Sequence, residues 1–74
     1  MNTDNPLGRW LDDHDESIVA FALRAKMSQS NLYGIISGRV DPRISTLRTI
    51  EFCTAGEVTI NQLIEWKISQ ESNT

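Results

Sequence analysis

The sequence predicts an all-α domain of five short helices, and three observations carry that reading. Apolar residues recur at helical spacing in five separate stretches. Each stretch is bracketed by residues that start or stop helices: Asn5-Pro6, Ser17, Ser28, Gly38, Asp41-Pro42, Gly56 and Thr59. No segment alternates convincingly with the period of a strand. Thr54–Ile60 comes nearest, with Glu57–Thr59 as its strand candidate, and Gly56 interrupts it. A chain of 74 residues allows one domain. It is expected to span 1–74, with an ordered core at about 5–68 and a frayed tail at 69–74.

The first helix opens at Asn5-Pro6, asparagine as cap and proline in the first turn. Leu7, Trp10 and Leu11 share one face, and the polar joint Asp12–Glu16 follows. Ser17 caps a second helix with Ile18, Phe21, Ala22 and Ala25 inward. After a joint of two or three residues that includes Lys26 and Met27, Ser28 caps a third. Leu32, Ile35 and Ile36 face inward there, and Gly38 stops it. Asp41-Pro42 turns the chain into a fourth helix, about Arg43–Thr54, with Ile44, Leu47 and Ile50 inward and Gly56 just beyond. Thr59 and Gln62 have capping-box spacing and open a fifth helix with Ile60, Leu63 and Ile64. The polar stretch after Trp66 is expected to fray.

Composition narrows the function. With 39% hydrophobic and 23% charged residues the chain is neither disordered nor fibrous. A membrane span needs roughly 20 mostly apolar residues, and no run approaches that. The start lacks the basic and apolar regions of a signal peptide. One cysteine, Cys53, closes no internal disulfide, so a reducing cytoplasm is expected. Cys53 reads as a small buried residue, because no histidine stands ready as its base. His14 lies among consecutive carboxylates in DDHDE. That is a solvated joint rather than ligands at i, i+4, so no metal is expected. Asp15 and Glu16 there favour the dipole of the second helix. No triad, phosphate loop or metal framework is present. The expectation is a non-enzyme with no cofactor and no small-molecule ligand.

The net charge of −3 is unevenly spread. Residues 1–16 carry one arginine against five carboxylates, net −4. Residues 17–50 carry Arg24, Lys26, Arg39, Arg43 and Arg48 against Asp41, net +4. Residues 51–74 carry Lys67 against four glutamates, net −3. For binding a polyanion, this local basic centre matters more than the total.

Two helices joined by a very short turn suggest a helix-turn-helix. The stretch SIVAFALRAKMSQSNLYGIISGR, Ser17–Arg39, resembles the DNA-binding unit of the lambda repressor/Cro (Xre-type) family. Ala22 matches the small residue of the family's first motif helix, and Met27 the apolar residue after its turn. Ser28-Gln29-Ser30, Leu32, Ile35, Ile36 and Ser37-Gly38-Arg39 fall in register. The following PRISTLRTIEFCTAGEVTINQL looks like helices four and five of small prophage Cro-like regulators, so the likeness covers about residues 5–66. Three positions depart from the family. Ile18 stands where a phosphate-binding glutamine is usual. Lys26 replaces the turn glycine, at a cost of about 1 kcal/mol in a left-handed conformation. Asp41 occupies a loop that is often basic.

The resemblance implies a lambda-repressor-like domain, with the helix-turn-helix at helices two and three. It implies a sequence-specific regulator of transcription whose third helix reads the major groove of a double-stranded operator. Gln29 can pair with adenine. Ser30, Asn31 and Tyr33 can meet neighbouring bases, methyls or phosphates. Gly34 lets the backbone approach either DNA or another helix. Ser17, Ser28, Arg39 and Arg43 are the expected phosphate contacts. One recognition helix reads only a half-site, so a weak homodimer is expected through Phe52, Trp66 and Ile68, apolar residues off the inner stripes. Phe52 and Trp66 could instead close the base of the core. The alternative function is a protein-interaction module, an antirepressor or antitoxin partner that keeps the fold with weak or no DNA binding.

Overall fold

The computed structural model describes residues 4–72. Five helices follow in order: α1 (Pro6–Asp13), α2 (Ile18–Ala25), α3 (Gln29–Ser37), α4 (Ile44–Cys53) and α5 (Ile60–Ser72). No strand occurs among the described residues. α2 packs on α3 and α4, and α5 packs on α4 and α1.

Helix starts are made by side chains that satisfy the first free amides. Asn5 Oδ1 accepts from Leu7 N at 2.9 Å and Gly8 N at 3.1 Å. Its Nδ2 donates to Ile35 O at 3.4 Å, so one fully buried asparagine caps α1 and ties it to α3. Ser17 Oγ accepts from Ala20 N, and Ser28 Oγ from Asn31 N. Thr59 and Gln62 form the reciprocal capping box, both bonds 3.1 Å. α4 begins after Arg43 without a side-chain cap bond.

Leu7, Leu11, Phe21, Ala22, Ala25, Leu32, Ile35, Ile36, Leu47, Ile50, Val58 and Leu63 make the core. Thr54 is buried at its edge. Its hydroxyl donates to Ile50 O at 2.9 Å and accepts from Val58 N at 3.1 Å, closing the turn between α4 and α5. In that turn Ala55 and Gly56 both take positive φ, 56° and 82°.

Two expected core residues point outward. Ile44 is 53% exposed, because the first residue of α4 lies beyond the body that Leu47 and Ile50 cover. Ile64 is 38% exposed. Leu63 is buried with Ile60, Trp66 and Lys67 partly buried around it, which leaves Ile64 on the flank about 100° away. The last helix also runs on to Ser72, through the stretch where polar composition suggested fraying. No glycine or proline interrupts KISQES, and Lys67 is held by groups outside the helix. Residues 73 and 74 lie outside the described region.

Candidate nucleic-acid interface

α2 and α3 are joined by three residues, Lys26, Met27 and Ser28. Lys26 adopts the left-handed conformation, φ 57° and ψ 43°. Met27 N bonds Ala22 O at 2.9 Å, which closes α2 in a Schellman-type turn. Met27 then packs against the core, so burial of its side chain offsets the strain at Lys26. Ala22, 3% exposed, stands in the α2 surface that meets α3.

α3 divides sharply. Leu32, Ile35 and Ile36 are buried, while Gln29, Ser30, Tyr33 and Ser37 are exposed. At 100° per residue these four fall within a sector of about 100°. Three of the five expected base contacts, Gln29, Ser30 and Tyr33, therefore share one outward face. Asn31 sits about 100° from Ser30 on the other flank and is half-buried.

Gly34 is buried. A Cβ there would overlap Val40 Cγ2 and come within 3.2 Å of Val40 Cβ. Gly34 O accepts from Arg39 N at 2.9 Å and from Val40 N at 3.1 Å. The close approach that this glycine serves is thus to the loop returning from α3, which covers the position expected to meet a base. Ser37 joins the outward face unanticipated. Its signal in the sequence is helical phase alone, two turns after Ser30.

The two hydroxyls expected at phosphates, Ser17 and Ser28, are the N-caps of α2 and α3. Each accepts an amide through its oxygen and keeps its own proton to donate outward. Ile18 is half-buried against the core and leaves the start of α2 to backbone amides. Arg39 and Arg43 are both exposed, on either side of the loop after α3. Lys26 and Arg48 are exposed as well.

Arg24 is different. Its Nε and Nη2 donate to the two oxygens of Glu16 at 3.0 and 2.9 Å, and Nη1 donates to Cys53 O at 2.9 Å. Its guanidinium lies 5.1 Å from the centre of the Phe21 ring. Hydrogen bonds to Glu16 raise its pKa above the usual arginine value. This arginine clamps α2 to the end of α4 and adds little to the outward field.

Two residues of α5 brace the loop after α3. Lys67 Nζ donates to Gly38 O and lies 3.4 Å from Asp41 Oδ1. It offsets the one carboxylate in the basic centre. The Trp66 ring sits beneath Gly38, its Cη2 3.2 Å from where a Cβ would stand. Gly38 itself has φ 86°, which favours glycine. Trp66 is half-buried, with this edge of its ring packed under the loop. Phe52 and Ile68 are exposed, at 86% and 56%. Neither brace shows in the sequence, because Lys67 and Gly38 are 29 residues apart.

No helix is long and apolar enough to cross a membrane among the described residues. The chain matches no protein-family model, no curated protein and no solved structure.

Proposed function

We propose that this chain is a cytoplasmic, sequence-specific binder of double-stranded DNA, a helix-turn-helix regulator of the repressor type that places α3 in the major groove. It acts by occupying an operator and catalyses nothing. The observation that carries this reading is the outward face of α3, where Gln29, Ser30 and Tyr33 stand together beyond a three-residue turn. Gln29 pairs with a base edge, and Ser30 and Tyr33 contact its neighbours. Arg39 and Arg43 grip phosphates on the far side of the loop, and the capped starts of α2 and α3 add two further backbone contacts. Enrichment of a single site from a random duplex pool, followed by binding at low and moderate salt, tests the reading. Equal affinity for the enriched and the random duplex overturns sequence-specific recognition.

A second reading has one observation in its favour. Val19 and Leu23 lie one turn apart on α2 and are 48% and 76% exposed. An apolar outer face on this helix suits a protein partner. Absence of binding to any duplex at low salt favours that interaction module over the regulator.

A further inference from the structure

A groove of about 620 Å³ runs between α1 and α5, and no residue of α2 or α3 lines it. Its apolar lining comes from Pro6, Trp10 and Trp66, over an almost wholly buried Val58. Its charged lining consists of Asp4, Asp13, Glu57 and Glu65 against the single cation Arg9. The four carboxylate residues are all exposed. From Gln62 to Ser69 the groove follows about 10 Å of helix axis, the span of about three extended residues. Both tryptophans are half-buried, and among the described residues their indole N–H groups are covered without an acceptor.

We infer that this groove is a docking site for an arginine-bearing peptide segment of a partner protein. Charge complementarity selects the occupant. Four carboxylates repel nucleic acid and attract cations, and a guanidinium can both bond a carboxylate in two places and lie on an indole face. Apolar residues between the arginines fill the space over Val58 and the rings. A second copy is a poor occupant. Across a two-fold axis the groove would meet its own copy, carboxylates against carboxylates. An acidic groove on a neighbour's basic loop is also a head-to-tail contact, which extends without closing. The groove's distance from α2 and α3 makes this inference independent of the DNA reading.

Both tryptophans of the chain line the groove, so their emission reports its occupancy directly. The full chain is titrated at low ionic strength with acetyl-Arg-Leu-Arg-Leu-amide, and separately with acetyl-Glu-Leu-Glu-Leu-amide. The expected result is a saturable emission change with the first peptide and none with the second. Asp13→Asn with Glu65→Gln should weaken binding about tenfold, with the circular dichroism spectrum unchanged. Raising the salt should weaken the unaltered chain in the same direction, a readout that holds if the double variant folds poorly. A flat titration, an equal response to the acidic peptide, or salt-independent binding overturns the inference. So does a folded double variant that binds as well as the unaltered chain. Sedimentation showing self-association that the same double variant abolishes assigns the groove to a second copy, and the inference also fails.

Discussion

At the scale of single residues, the outward face of α3 separates reading from gripping. Gln29 stands in the first exposed turn, with an amide suited to a base edge. Gln29→Ala should cost about 1–3 kcal/mol on the enriched site and relax the preference there, measured by binding to single-base variants of that site. Arg43, exposed at the start of α4, lies off the α3 face and is placed for a phosphate rather than a base edge. Arg43→Ala should weaken all duplexes alike and lower the magnitude of the salt slope by about one. An unchanged slope would place this arginine away from the phosphates. Gly34 gives a test of packing with a sign. In an open helix, glycine to alanine gains about 1 kcal/mol. Here the new methyl overlaps Val40, so Gly34→Ala should lose about 1–3 kcal/mol in thermal or denaturant unfolding. In a Val40→Ala background, which removes Cγ2 and leaves only the 3.2 Å contact with Cβ, most of that loss should disappear.

At the scale of elements, the starts and stops of helices are local chemistry and were legible. Asn5, Ser17, Ser28 and the Thr59–Gln62 pair cap the helices they were expected to cap. Ile44 and Ile64 were misplaced because an apolar residue on a helix flank looks the same in sequence as one on its inner stripe. The candidate site was legible to the extent that helical phase fixes it. That phase placed Gln29, Ser30 and Tyr33, but it could not show Val40 folding back over Gly34. Least legible were the long-range ties, in which Arg24 reaches Cys53 O and Lys67 reaches Gly38 O, each across 29 residues. The second tie bears on function. Lys67 holds the loop whose Arg39 and Val40 amides close the end of α3. Lys67→Met keeps most of the side-chain volume and removes the donors. Amide exchange at Arg39 and Val40 should quicken about tenfold while exchange in α2 stays unchanged. DNA affinity should fall for every sequence, since the loop carries phosphate contacts. Unaltered exchange at these two amides would show that Lys67 does not hold the loop.

At the scale of the whole molecule, one exposed face of α3 covers a few base pairs, too little for a useful specificity ratio. The proposed regulator therefore needs two copies, with recognition helices about 34 Å apart to meet successive major grooves. The pairing surface must leave α3 free. Trp66 is a poor choice, because one edge of its ring supports Gly38 and Trp66→Ala would first lower stability, by about 2–3 kcal/mol. A better surface lies where α4 begins against α5. Pro42, Leu47, Leu63, Ile64 and Ile68, together with the paired Asp41 and Lys67, line a groove of about 140 Å³ there, and Ile44 stands exposed one helical turn from Leu47. Phe52 is more exposed than any of these, but it projects from the far end of α4. The patch is small, so the free dimer should be weak and form mainly on DNA. Ile64→Ser with Ile68→Ser removes apolar surface that is already open to solvent, so the fold should survive. Operator binding should then weaken and become more steeply dependent on protein concentration. Sedimentation of the protein–DNA complex decides the matter: two chains on the enriched site support pairing. One chain at saturation, or a double variant with unchanged affinity and stoichiometry, rules out this surface as the source of specificity.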